Sequence, residues 1–354
     1  MNQMKSNKGG FCLETAKPAL LLVSAALFLA TLLTTFQLFV ARGISALVLI
    51  FYMEVVATVT VSILAFFLEK GKRPSSLFSF KISSYAFLLG LLQIPLGQQM
   101  TALSLKYLGA TYSSIAINMQ MVVVFLFALA SRQEKFTMGS IYSQAKLLGL
   151  VVSVSGVMVI VLWQGPSLPR SPPSPSRAQP ADGDGRTGGV LLFTCVMAGA
   201  TWNILVERVT EMYPAELSLT ALMNFWGTIQ SAFVSAIFVS RADWAFKWDG
   251  ALIVFVFLAG TILGLFFYVQ MWCIHKKGPV FVTSFSPLLV VFTHLLEALI
   301  TRSAHLGSSI GALLVIAGIY LIMWGKAKDR IHEDTMEIVS TKSPLLTDHP
   351  QEAC

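Results

Sequence analysis

Charge is what this sequence has least of. Only 12% of its 354 residues are Asp, Glu, Lys or Arg, while 55% are apolar. Soluble domains carry about twice that charged share, so lipid rather than water surrounds most of the chain. Cysteine is scarce as well. Cys12, Cys195, Cys273 and Cys354 stand far apart, without the paired spacing of a metal or redox motif, and no disulfide framework is expected. The five histidines, His275, His294, His305, His332 and His349, do not cluster in sequence. That leaves no pattern for a metal centre or for the Ser/His/Asp site of a membrane-embedded enzyme. No ATPase loop and no N-x-S/T glycosylation site occur. The sequence therefore predicts no cofactor, no metal and no enzymatic nucleophile.

What is present is a succession of long apolar runs. A bilayer crossing takes about 20 residues, and ten runs approach that length: Pro18–Val40, Ala46–Leu68, Ile82–Leu105, Ala110–Ala130, Leu147–Trp163, Gly188–Val206, Leu217–Val239, Ala251–Ile274, Val280–Ile300 and Gly307–Trp324. The predicted fold class is an all-α membrane protein of ten transmembrane helices. Residues 1–17 are polar, and the run after them lacks a small-residue cleavage site, which predicts an uncleaved first span. With the N-terminus inside, roughly two-thirds of the 25 Lys and Arg fall on the cytoplasmic side. They include Lys70, Lys72, Arg73, Lys276, Lys277, Lys326 and Lys328. Both termini are thus expected in the cytosol. This rule accounts for the net charge of +7 without a nucleic-acid partner.

A Pro- and Ser-rich linker, residues 167–187, cannot bury apolar area and divides the chain into two five-span halves, 18–166 and 188–325, with a polar tail over 326–354. The halves carry matching signals. Gly149 and Gly156 are followed by Trp163 in the fifth span; Gly311 and Gly318 are followed by Trp324 in the tenth. Each glycine pair lies nearly two turns apart, on one helix face, and permits close helix contact. The runs from Lys106 and Lys276 also match in position. Five spans is an odd number, so the second half must enter the membrane upside down, a plan common to secondary transporters with a site near the midplane.

Polar residues within the spans are the candidate pathway. Gln98 and Gln99 follow Pro95 and Gly97 in the outer half of the third span, and Asn118 and Gln120 lie in the fourth. In the second half Tyr268 and Gln270 lie toward the cytosol in the eighth span, with Thr283, Ser284 and Ser286 before Pro287 in the ninth. Gly278 and Pro279 end one helix and start the next, and Pro287 interrupts the run that follows. The same amides and hydroxyls could instead only bridge helices. Two acids and a base are embedded. Glu54 lies about 12 Å into the second span, and His294 about 9 Å from the outer end of the ninth, so the two are expected to share a depth and form a proton-sensitive pair. Glu297 reads as an interfacial group. Trp202, Asn203, Asn224 and Gln230 are weaker cavity candidates.

The stretches G-P-V-F-V-T-S-F-S-P-L (Gly278 to Leu288), Y-P-A-E-L-S-L-T-A (Tyr213 to Ala221), S-Q-A-K-L-L-G (Ser143 to Gly149) and G-I-Y-L-I-M-W-G-K (Gly318 to Lys326) resemble the plant nodulin-like, walls-are-thin-related group. That group belongs to the EamA branch of the drug/metabolite transporter superfamily. The resemblance implies two inverted five-helix EamA-type repeats, with the fifth and tenth helices peripheral and available for a homodimer. It implies a carrier of amino acids, or of auxin-like indoles, at the plasma membrane ahead of the vacuolar membrane. The chain departs from the group at Tyr52-Met53-Glu54, where a Tyr-Arg-Asn run is usual. A nucleotide-sugar carrier is disfavoured because the spans hold almost no cations for a pyrophosphate. A non-transporting scaffold or receptor and a membrane-embedded enzyme stay open as alternatives.

Overall fold

The computed structural model describes residues 2–69, 80–105, 107–108, 110–134, 140–163, 185–245, 248–301 and 306–342. Every regular element among them is helical, as hydrocarbon requires of an unclosed chain, because only a helix satisfies its own backbone. The helices are α1 (Asn2–Ala41), α2 (Ala46–Leu68), α3 (Phe80–Gln93), α4 (Met100–Ser104), α5 (Ala110–Ala130), α6 (Ile141–Leu162), α7 (Gly185–Met212), α8 (Glu216–Phe238), α9 (Gly250–Lys277), α10 (Pro279–Thr283), α11 (Ser286–Thr301) and α12 (Leu306–Lys342). Nine stretches among the described residues are long and apolar enough to cross a bilayer. The apolar part of α5, Ser114–Ala130, is shorter than these.

Several helices extend past the expected ends, each for a local reason. α6 begins at Ile141 because its polar first turns are helical and Lys146 is anchored by Glu134. α7 continues to Met212 through Glu207, Arg208 and Glu211, all good helix formers. The N-terminal segment is helical from Asn2 and the tail to Lys342. Of the Pro-rich linker, residues 167–184 lie outside the described residues.

Two spans are interrupted at proline, the ninth as expected and the third in addition. Between α3 and α4 the chain widens into a π-helical turn, Ile94–Gln99, which contains Pro95 and Gly97. Proline removes a backbone donor, and such wide turns recur at functional sites. The ninth span starts at Pro279, after Gly278 at φ +83°, a conformation open to glycine. It breaks again between Thr283 and Ser286, with Pro287 in the first turn of α11.

Successive crossings alternate in direction, so the bundle has a terminal face, near Lys17 and Lys326, and a far face. α8 packs on α2 and α3, and α9 on α2. α5 packs on α7, α1 on α11 and α9, and α6 on α12. The α6–α12 contact is made by backbone. A methyl added at Gly149 would come within 2.6 Å of the Gly318 carbonyl oxygen, and one at Gly156 within 2.8 Å of that of Gly311. Lipid supplies no hydrophobic drive between helices, so close approach of small residues takes its place. Outward, Phe67, Phe193, Phe233, Phe257, Leu258 and Leu313 are more than half exposed. That belt suits lipid and would be an aggregation liability in water.

Candidate functional site

The candidate site is built where α2 and α8 pack together. The Thr58 and Thr228 hydroxyls hydrogen-bond to each other at 2.8 Å. The Thr228 hydroxyl also lies 2.8 Å from the Asn224 carbonyl and 3.2 Å from that of Glu54. A hydroxyl donates one hydrogen and accepts others. Thr58 therefore donates to Thr228, which donates to a carbonyl. Because α2 and α8 run in opposite directions, Glu54 lies one turn from the crossing toward the far face, and Asn224 one turn toward the terminal face.

The far-side half is built around Glu54, which is fully buried. Gln98 Nε2 donates to its Oε1 at 2.7 Å, and Oε2 has no partner. The π-helical turn sets this up, since it carries Gln98 toward α2 and Gln99 toward α8. Gln99 Nε2 reaches Ser231 Oγ at 2.8 Å and Ser235 Oγ at 3.0 Å, while its buried Oε1 has no donor. Ser235 in turn donates to the Leu47 carbonyl. Above this layer, Tyr52 stacks edge-on to Trp248 with centroids 4.9 Å apart, and Phe51 packs on Trp244.

The terminal-side half is neutral at its centre and ionic at its rim. Asn224 is fully buried and neither end of its amide has a partner. On α9, Tyr268 and Gln270 are half-buried, and Gln270 Oε1 is likewise unbonded. At the rim, Glu69 accepts the Leu217 and Ser218 backbone N–H groups at 3.1 and 2.8 Å, together with the Ser218 hydroxyl. This carboxylate caps the α8 N-terminus, where donors are free and the dipole favours an anion. Glu216 pairs with His275 Nδ1 at 2.6 Å. Glu134 sits between Lys146 and Lys326, 2.9 Å from each. Burial pushes its carboxyl up, but the two lysines outweigh burial and hold it below the ordinary carboxylate value.

The structure thus brings Glu54, Gln98 and Gln99 together but separates other expected partners. Glu54 and His294 do not pair: Glu54 bonds Gln98, and the His294 ring bonds the Val290 carbonyl of its own helix. The cause is packing, since α2 lies on α8 and α9 while α11 lies on α1. Thr283 and Ser284 donate to the Pro279 and Phe281 carbonyls, so these hydroxyls patch the helix break. Ser286 is half-buried and Pro287 buried at that break. Asn118 donates to the Ser114 carbonyl, leaving Oδ1 unbonded, and Gln120 packs over Gly199. Trp202 is core, with its indole N–H on Met223 sulfur, and Asn203 bonds its own helix. Gln230 bonds the Phe87 carbonyl. The Glu297 side chain lies outside the described residues. Sequence reading passed over Thr58, Thr228, Ser231 and Ser235, since a span hydroxyl usually bonds its own helix. A common offset linking Thr58 to Thr228 would have found them. Among the described residues no group of three or more His, Cys, Asp or Glu could hold a metal ion.

No family model matches the chain. Three Arabidopsis thaliana WAT1-related proteins are similar to it. One is 32% identical over 96% of this chain and 93% of its own. The second is 32% identical over 81% and 84%, and the third 33% over 90% and 87%. One solved crystal structure shares the fold, with a TM-score of 0.62 over 87% of this chain and 97% of its own, at 15% identity. Its likeness speaks to fold alone. The expected resemblance and the helices of bilayer length agree: the chain is a multipass integral membrane protein and belongs to the WAT1-related family.

Proposed function

We propose that this protein is a carrier that moves small organic solutes by alternating access, with amino acids the first expected class and auxin-like indoles the second. In this reading ten spans form two five-helix repeats inserted in opposite senses. The observation that carries it is the α2–α8 crossing. Met53 and Met223, Glu54 and Asn224, Ala57 and Gly227, Thr58 and Thr228, Gly90 and Gly260, and Gln98 and Tyr268 all share one sequence offset. The offset is also that of Lys106 and Lys276. Close contacts follow it. A methyl at Gly90 would meet the Met223 carbonyl at 2.8 Å, and one at Gly260 that of Met53 at 2.5 Å. Exchanging the halves also turns the α3–α8 contact into α9–α2 and the α5–α7 contact into α11–α1. The Thr58–Thr228 bond would then lie on the axis relating the halves.

The polar layers on either side of that axis are the two ends of the path. Gln98, Gln99 and Glu54 line the far side, and Tyr268, Gln270 and Asn224 the terminal side. The path is facilitative or proton-coupled. Both termini face the cytosol, in the plasma membrane ahead of the vacuolar membrane. A homodimer through α6 and α12 would use their outer faces, such as Leu148, Val151 and Leu313, because the glycine faces meet each other. Purified protein in proteoliposomes should give saturable flux of a labelled amino acid or of indole-3-acetate. No flux of any solute by folded protein would favour a scaffold instead. Tags in the Pro-rich linker and the C-terminal tail should report opposite sides of the membrane; the same side would end the inverted-repeat reading. If Glu54 carries the coupling proton, Glu54→Gln flattens the pH profile of transport.

A further inference from the structure

We infer that the far-side half-site receives the ammonium group of the solute, with the Glu54 carboxylate as its binding partner and Gln98 as the residue that positions that carboxylate. The inference rests on the reading of the core as a solute path. Glu54 is fully buried within a span, and its one side-chain partner is the neutral amide of Gln98, 2.7 Å away. Among the described residues no Lys, Arg or His pairs with it. An uncompensated carboxylate at membrane depth is strongly unfavourable, and a proton or a cationic group of the solute would relieve it.

The hydrogen-bond inventory says what kind of cation. In this half the buried side-chain atoms without a partner are acceptors, while both amide nitrogens already have one. Glu54 Oε2 is buried without a partner. Gln99 Oε1, one residue from Gln98, is buried without one too. The donors of Gln98 and Gln99 are directed at Glu54, Ser231 and Ser235. Among the described residues no cation pairs with these groups, so a carboxylate or phosphate of a solute would gain no ion pair from them. An ammonium group brings both the missing charge and three N–H donors. A bare proton would neutralise Glu54 but supply only one donor. The equivalent position across the crossing is the neutral Asn224, so selection for a cationic group belongs to the far-side half.

The test is binding by purified wild-type protein, read as thermal shift and by calorimetry, independently of transport. The probes are two matched trios: leucine, isopentylamine and 4-methylpentanoate; and phenylalanine, phenethylamine and 3-phenylpropanoate. The expected result is that the amine and the zwitterion of at least one trio stabilise the protein and the deaminated acid does not. Glu54→Gln should weaken the amine about tenfold or more, the loss of one charge-assisted hydrogen bond. Glu54→Asp should keep part of the affinity. Acids that bind as well as amines, no binding by any amine, or unchanged amine binding to Glu54→Gln would each overturn the proposal. So would stabilisation by sodium chloride, titrated over potassium chloride, with no amine effect, since Glu54 would then serve an inorganic ion. If Glu54→Gln does not fold, the comparison of amine with acid on the wild type still decides. Amine binding without flux would remove the carrier reading and leave this one. Flux with no preference for amines would do the reverse.

Discussion

Two helix crossings in this protein, α6 with α12 and α2 with α8, are built from opposite materials. Where α6 meets α12, four glycines bring backbone against backbone, and a single added methyl would fall inside contact distance. Where α2 meets α8, two threonines meet through a hydrogen bond, and buried carboxylate and amide atoms beside them are left without partners. A dry backbone contact has no second arrangement to adopt. Unfilled polar atoms in hydrocarbon are costly unless something comes to fill them. In the proposed carrier, this contrast makes α6–α12 the fixed keel and α2–α8 the place where a ligand acts.

The largest expected effect tests the clamp on the keel. Glu134 bonds Lys146 of α6 and Lys326 of α12, and all three are largely buried. Glu134→Gln keeps the shape and removes the anion, which should cost about 3–5 kcal/mol, the usual penalty for breaking a buried ion pair. A fall in melting temperature in detergent would report it. The pH dependence has a definite sign. The folded carboxyl titrates below its ordinary value, so its stabilisation is complete above the unfolded-state value and is lost as the pH falls through the folded one. Acidification below the ordinary carboxylate range should therefore destabilise the wild type more than Glu134→Gln.

Next in size is the glycine contact itself. Gly318→Leu places a Cβ 2.6 Å from the Ser153 nitrogen and 2.7 Å from the Gly149 carbonyl, both backbone atoms. Overpacking of this kind should cost about 1–3 kcal/mol. An unchanged melting temperature would mean that α6 and α12 do not meet along this face, and the contrast between the crossings would fail. The smallest effect is at the other crossing. Thr58→Val is close in shape and removes one hydrogen bond, worth about 1 kcal/mol net. A double-mutant cycle with Thr228→Val should show coupling between the two positions; additive effects would break the proposed axis. The same Thr58→Val change should alter flux more than stability, whereas Gly318→Leu should do the opposite.

Much of the fold was legible in advance because its causes are local. Gly278-Pro279 with Pro287 announced the two breaks around α10, whereas the π-helical turn at Pro95 and Gly97 was not among the expected interruptions. Gly149, Gly156, Gly311 and Gly318 announced close contact, though not that they face one another. The site was legible only in part. Gln98, Gln99 and Glu54 were identified as polar groups in apolar runs, while Glu54 was assigned to His294 by depth alone. Depth does not fix rotation: His294 faces its own helix on α11, and Glu54 faces the turn that carries Gln98. Ser231, Ser235 and the two threonines escaped because a hydroxyl in a span looks the same whether it bonds its own helix or another.

Sequence alone determined the solvent, the spans and the breaks of the ninth, since apolar run length and the missing N–H of proline act within a few residues. Only the tertiary structure decided which buried groups meet. In lipid the outer and inner faces of a helix are both apolar, so hydropathy carries little information about rotation. That rotation leaves one oxygen of Glu54 unbonded and presses Gly149 against Gly318.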